Sequence, residues 1–279
     1  MNFKRLAVLP LLAGLMPAII VLGLEVARSR QIAMRMEIET VKMLGLAGSV
    51  IAARSFERGE HLRRAWLLNG SCYAFLLLRD LLYGVWLVRD SGEPSQYLES
   101  VIVLIANAGA VTGVWMLSRT WKVAGIALPW SPLRREVVRW VGIVVGFVIA
   151  GPSLYFSIVG ALNGEIRAIV YAVSSAGDIF SMALIAPVLL TTLALRGGLL
   201  GWPWGLMTAS QFGWLIYDAT ITLRLFVHME PATATMWSEI FRAIACSYCF
   251  AAGLAQRAVS APDPGTGAGT GAVHSPKPA

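Results

Sequence analysis

Apolar residues in this chain come in runs, and polar residues mark the boundaries between them. The first run, 6–26, follows a short basic start at 1–5. The next, 41–53, is too short to cross a ~30 Å hydrocarbon layer, which takes about 20 helical residues. A crossing helix there has to start near Met34 and let Lys42 and the neighbouring glutamates Glu37 and Glu39 snorkel to the surface. Further runs occupy 65–88, 100–118, 140–160, 168–195, 205–227 and 239–259. Together they predict eight α-helices, joined by polar or Gly/Pro-containing connectors. Pro152 predicts a kink in the fifth. Residues 260–279, rich in Pro, Gly, Ala and Thr, lack the apolar content to order themselves.

Hydrophobic residues make up 57% of the 279-residue chain and charged residues 14%, against about 25% charged in a soluble domain. The expectation is therefore an all-α integral membrane protein, an eight-helix bundle, with the lipid bilayer as its first partner. A cleaved signal peptide is the alternative for 6–26, but no A-x-A-like site follows that run. The net charge of +7 does not point to nucleic acid, because the basic residues sit at the ends of apolar runs, where they set topology. Placing the arginine-rich connectors (54–64, 119–139 and Arg196) inside puts both termini in the cytoplasm. Arg28, Arg30 and Arg35 break that rule and support a seven-span alternative in which 41–53 does not cross. Trp121, Trp130 and Trp140 are expected at headgroup level. An arginine-rich, Ala- and Gly-rich composition fits a bacterial protein of the cell inner membrane.

One layout occurs twice. Arg58, Gly59, Trp66 and Asp80 recur as Arg196, Gly197, Trp204 and Asp218, each offset by 138 residues. Four spans per unit give two repeats of the same orientation, related by an axis along the membrane normal. The predicted organisation is a first four-helix repeat at 1–118, a basic cytoplasmic linker at 119–139, a second four-helix repeat at 140–259, and a disordered tail at 260–279.

Asp80, Asp178 and Asp218 fall near the middle of predicted spans, where a carboxylate costs about 2.5–3.5 kcal/mol unless paired, hydrated or neutralised. Helical spacing puts Tyr171, Ser174, Asp178 and Ser181 on one face. Gln211, Asp218 and Thr222 share another, with Trp214 on its flank, and Asn69, Tyr73, Asp80 and Tyr83 share a third. Such faces are expected to converge inside the bundle. Arg79 points about 100° away from Asp80 and is expected to reach Asp178 or Asp218 on a neighbouring helix. The ligand- or proton-binding candidates are Asp178, Asp218, Asp80, Arg79, Ser174, Tyr171 and Gln211. The bland alternative is a hydrogen-bonded network that locks helices together and binds nothing. Arg224, Glu239 and Arg242 read as interface anchors near span ends.

No catalytic residue, metal site or cofactor is assigned. His61, His228 and His274 make no clustered motif, and no HExxH, GxSxG or P-loop is present. No lysine falls in a late span, which excludes a retinal Schiff base on the seventh. Cys246 and Cys249 have CxxC spacing but sit in an apolar run without a second ligand pair, so they read as small packing residues.

The stretch Arg58-Gly-Glu-His-Leu-Arg-Arg-Ala-Trp66, together with Gly177-Asp178, Arg196-Gly-Gly, Trp202-Pro-Trp204 and Tyr217-Asp-Ala219, resembles the polytopic N-terminal membrane modules of some bacterial histidine kinases and diguanylate cyclases. The resemblance implies seven or eight spans and a sensing role. No kinase or cyclase domain follows the resembling region, so signalling is expected to need a separate signalling protein. The functional expectation is a sensory or signal-relay module. The alternatives are a small transporter or permease-like protein using the same polar cluster, and a structural membrane scaffold.

Overall fold

The computed structural model describes residues 3–83, 96–123, 130–194, 198–199, 201–223 and 230–260. Every regular element among them is an α-helix: α1 Phe3–Ala13, α2 Leu15–Gly23, α3 Ala27–Ala53, α4 His61–Tyr83, α5 Gln96–Ser118, α6 Thr120–Val123, α7 Pro132–Leu162, α8 Ile166–Ala194, α9 Gly201–Leu223 and α10 Pro231–Ser260. With α1 and α2 taken as one broken helix and the short α6 set aside, eight long helices remain. The predicted disordered tail lies outside the described residues, apart from Ser260 at the end of α10.

Several boundaries differ from the pattern-based expectation, each for a local reason. The first run breaks at Gly14 because Pro17, in the first turn of α2, has no N–H to return to the carbonyl of Ala13. Residues 27–40 are not a connector. They contain no Gly or Pro and many good helix formers, and they extend α3 to 27 residues. The basic stretch 119–139 is only partly a linker. Ser131 caps the start of α7 by accepting the Arg134 N–H at 3.3 Å, with Pro132 in the first turn. Arg134, Arg135 and Arg139 therefore ride on that helix. Likewise α10 begins at Pro231, well before the expected start at 239. The chain turns between α7 and α8 at residues 163–165, with Gly164 at φ +87°, a backbone conformation that glycine adopts freely.

Four of the helical segments are long and apolar enough to cross a membrane: Phe3–Gly23, Tyr97–Ser118, Pro132–Leu162 and Ala168–Leu190. The others carry too much charge or polarity, as with Arg79 and Asp80 in α4. The partition of side chains is informative. Much of the buried set is Ala, Ser and Cys, whereas Leu12, Ile19, Val148, Phe147 and Phe180 stand exposed on α1, α2, α7 and α8. Small residues inside and large apolar residues outside is the arrangement of helices packed for close approach rather than for exclusion of water. Exposed apolar surface of this extent marks a membrane or protein contact.

The closest approach is between α3 and α10. A Cβ on Gly253 would lie 2.0 Å from the Gly48 carbonyl oxygen, and one on Gly48 would lie 2.4 Å from Phe250 Cα. Backbone meets backbone there. Helix α4 packs between α3 and α5, α9 packs between α8 and α10, and α5 closes the ring against α8. The α5–α8 contact is looser, since a Cβ on Gly177 would meet only the Val111 side chain, at 3.2 Å.

Shifted by 138 residues, α3, α4 and α5 fall at 165–191, 199–221 and 234–256, within a few residues of α8, α9 and α10. The contacts between the halves are reciprocal under that shift: α3 lies on α10, and α5 lies on α8. The first helices differ, because α1 and α2 pack mainly on α10 while α7 packs on α8 and α9.

Gly253→Ala is expected to destabilise the protein by about 1–3 kcal/mol through overpacking. Gly151→Ala, whose Cβ would meet only Phe147 Cδ1 at 4.0 Å, is expected to stay within about 0.5 kcal/mol. Thermal unfolding in detergent compares the two, and equal stabilities would refute the tight α3–α10 crossing.

Candidate functional site

The interior of the ring holds a cavity of about 480 Å³ lined by residues from both halves of the chain. Its wall includes Arg79 from α4, Tyr171, Ser174, Asp178 and Ser181 from α8, and Gln211 and Asp218 from α9. The helical spacing that put Tyr171, Ser174, Asp178 and Ser181 on one face of α8 thus brings all four to one cavity. Asn69 and Tyr73 line it from α4, and Trp214 from α9. Asp80 does not line it. The side chain of Thr222 and the whole of Arg224 lie outside the described residues.

The carboxyl groups of Asp178 on α8 and Asp218 on α9 are neighbours on the cavity wall. The second oxygen of Asp178, Oδ2, is fully buried and has no hydrogen-bond partner. Around this pair the polar lining is tied down. Asn107 Nδ2 donates to Ser174 Oγ, which joins α5 to α8. Ser175 Oγ donates to Ser153 Oγ at 2.9 Å, joining α8 to α7. Trp214 Nε1 donates to Tyr73 Oη at 3.3 Å, and the Trp214 ring meets Tyr217 edge-on with centroids 5.5 Å apart. Gln211 is nearly buried, and its amide nitrogen lies 3.9 Å from Met207 Sδ, one turn back.

Asp80 and Arg79 behave differently from expectation. Arg79 reaches back to its own neighbour, with Nε and Nη2 donating to Asp80 Oδ1 at 2.8 and 2.5 Å. The Cα–Cβ bonds do diverge by about 100°, but the guanidinium sits on a long jointed stem that curls back. Lys42 takes the other oxygen, donating to Asp80 Oδ2. Arg35 Nη2 donates to the Asp80 carbonyl at 3.4 Å. Lys42 was expected to snorkel outward, yet it is only 1% exposed. Its position on the inner face of α3 opposite Asp80 gives it a partner that no route to the surface could match. Asp178 lies near the middle of α8, whereas Asp80 and Asp218 lie toward the ends of the described parts of α4 and α9.

Glu239 and Arg242 are also buried rather than anchored at an interface, with side chains 7% and 11% exposed and 3.2 Å apart. The early start of α10 explains this, because it places both residues two to three turns inside the helix. Arg242 donates to Tyr217 Oη and stacks over that ring, 4.5 Å from its centroid. Arg242, Tyr217 and Lys42 line the cavity and were not among the sequence candidates. The signal that pointed to Arg242 was the absence of Gly or Pro between Pro231 and Ser238, which lets the helix start early. Both carboxyl oxygens of Glu37, on α3 near Glu239 and Arg242, are buried without a hydrogen-bond partner.

Cys246 and Cys249 are free, buried thiols. Cys249 Sγ accepts from Asn69 Nδ2 at 3.3 Å and lies 3.4 Å from Ser49 Oγ, at the α3–α4–α10 junction. Trp130 Nε1 donates to the Leu190 carbonyl at 3.3 Å, and Arg134 stacks on its ring 4.1 Å from the centroid. Trp140 is exposed, and the Trp121 side chain lies outside the described residues.

Asp80→Ala leaves Lys42 buried without its partner and is expected to cost about 3–5 kcal/mol, with the Lys42→Met/Asp80→Ala pair recovering most of the loss. Chemical denaturation in detergent tests the cycle, and additivity of the two single changes would show that the pair does not interact. Nothing among protein-family models, curated proteins or solved structures matches this chain, so its functional reading rests on this buried chemistry alone.

Proposed function

We propose that the chain is an integral membrane protein of the bacterial inner membrane and that it works as a sensory or signal-relay module. In this reading its eight long helices form a bundle of two tandem four-helix repeats with both ends on the cytoplasmic side. The cavity binds a small polar ligand, and occupancy shifts helix packing and is passed to a separate signalling protein. The observation that carries this reading is a cavity of about 480 Å³ whose wall gathers Asp178, Asp218, Ser174 and Gln211 from α8 and α9. Ligand sites typically have volumes of about 300–1,000 Å³ and a few convergent polar groups. The reciprocal packing of α3 on α10 and α5 on α8 supports the repeat. The four apolar segments and the exposed apolar surface support membrane insertion. The four more polar helices then insert because their charges are compensated within the bundle.

A transporter or permease-like role is the second reading. It is favoured by the position of the cavity between the two halves, where transporters built from repeats hold their substrates.

Two experiments test these readings. In a chain with its three cysteines replaced by serine, Ser174→Cys is expected to react with a small charged thiol reagent in lipid nanodiscs, and Val148→Cys on the outer face of α7 is expected not to. Asp178→Asn and Asp218→Asn are expected to leave the protein inserted but to abolish the cellular response, or, for a transporter, to abolish flux in proteoliposomes. If Ser174→Cys is inert and both asparagine variants change only Tm, the bundle is a scaffold and the ligand-site reading falls.

A further inference from the structure

We infer that the cavity is reached from one face of the membrane only, the face opposite the arginine-rich connectors, so that its ligand is a small water-soluble molecule arriving from outside the cytoplasm. The inference rests on the reading of the cavity as a ligand site in a membrane-inserted bundle and adds the compartment from which the ligand comes.

Contacts between neighbouring helices fix which helix ends lie together. Helices α3 and α4 run antiparallel, since Lys42 donates to Asp80 and Asn69 donates to Ser49. Helices α4 and α5 do the same: a Cβ on Gly109 would meet Ser71, and one on Gly113 would meet Asn69. Asn107 on Ser174 and Val111 beside Gly177 make α5 parallel to α8. Ser153 on Ser175 and Gly146 on Met182 set α7 antiparallel to α8. Gly213 on Ala245 and Tyr217 on Arg242 set α9 antiparallel to α10. Helix α10 runs parallel to α3, with Cys249 on Gly45 and Gly253 on Gly48. One end of the bundle therefore gathers the starts of α3, α5, α8 and α10 and the ends of α4, α7 and α9, with the turn at 163–165 among them. The basic stretches 54–64 and 119–139 lie at the other end.

The cavity belongs to the first end. Its wall starts there with Glu99 of α5, Phe156 of α7 and Tyr171 of α8, and Phe156 and Tyr171 are 44% and 59% exposed. It reaches inward to Asn69 of α4, Val111 of α5, Ser181 of α8 and Gln211 of α9. One turn further along, each of those four helices closes the way with a large buried apolar side chain: Trp66, Val114, Ile185 and Met207. Trp66 and Met207 belong to one apolar cluster and Val114 and Ile185 to another, and Trp204 packs against both. The floor is thus continuous across the bundle. A close-packed interior leaves few voids larger than a water molecule, and a polar solute forced through it would lose its hydrogen bonds to water without replacement. Beyond the floor lie the basic stretches with Arg54, Arg58, Arg63, Arg64, Arg119 and Arg139, and basic residues flanking membrane spans keep to the cytoplasmic side. Arg28, Arg30 and Arg35 begin α3 at the cavity's end. Two of them are engaged locally, Arg30 with the Leu24 carbonyl and Arg35 with the Asp80 carbonyl, and the basic residues beyond the floor outnumber them. The exposed end of the cavity then faces away from the cytoplasm.

The test uses the full chain with its three cysteines replaced by serine, in sealed right-side-out and inside-out membrane vesicles, and a charged thiol reagent that does not cross lipid. Two exposed positions mark the faces: Asn163→Cys in the turn at the cavity's end, and Arg58→Cys beyond the floor. Asn163→Cys is expected to react in right-side-out vesicles and Arg58→Cys in inside-out ones. Ser157→Cys on α7 and Ser174→Cys on α8, both in the cavity wall, are expected to react together with Asn163→Cys and to lose all labelling in the vesicles where Arg58→Cys reacts. Because the two serines sit on separate helices, misfolding of one variant leaves the other to decide. Labelling of the cavity cysteines from the Arg58 face, or from both faces, overturns the inference and leaves the cavity standing as a ligand site. Labelling of Asn163→Cys in inside-out vesicles overturns the outward orientation. Cavity cysteines that react from neither face overturn the inference and the ligand-site reading together.

Discussion

A buried charge has to find its counterpart within the bundle. Lys42, Asp80, Asp178, Asp218, Glu239 and Arg242 point inward from α3, α4, α8, α9 and α10, and three of their pairings cross from one helix to another. Lys42 of α3 holds Asp80 of α4, Arg242 of α10 holds Tyr217 of α9, and Asp178 of α8 meets Asp218 of α9. Each pairing is an orientation constraint as well as an energy. A helix rotated by one residue would turn its charge by about 100° and leave two groups unpaired, so the rotational settings of α3, α4, α8, α9 and α10 are coupled. Apolar packing alone is permissive about such rotations. The charges remove that freedom.

Backbone proximity then decides where the bundle is solid and where it is hollow. On the α3–α10 side, glycines let main chains touch, and Ser49, Asn69 and Cys249 fill the junction with a small hydrogen-bonded cluster. On the α5–α8 side the contact runs through a side chain, and the interior beside it holds the cavity. The positions 138 residues from Gly48 and Gly253 are Ala186 and Trp115, so the tight crossing has no glycine-on-glycine counterpart between α5 and α8. The cavity beside that contact takes both of its aspartates from the second half of the chain, Asp178 from α8 and Asp218 from α9.

The site was half legible from residue spacing. The stripe Tyr171, Ser174, Asp178 and Ser181 follows from helical periodicity alone, and so do Gln211 and Asp218 on one face of α9 with Trp214 on its flank. Lys42, Glu239 and Arg242 were misjudged because a charge near the end of an apolar run looks the same whether it reaches outward to water or inward to a partner. The difference lay in how far α3 and α10 extend beyond their apolar runs. Arg79 turns back on Asp80 because its stem is long enough to override the direction set at Cα.

From the amino-acid order alone follow the number and kind of elements, since apolar run length and helical period are local properties, and the inward faces of α8 and α9, since carboxylates shun an apolar surround. The pairing of those faces depended on the tertiary structure, because partnership between charges on separate helices is set by how the helices are placed against one another. Whether a polar stripe becomes a sealed contact or a chamber was decided the same way, through the distance between backbones that no single stretch of sequence encodes.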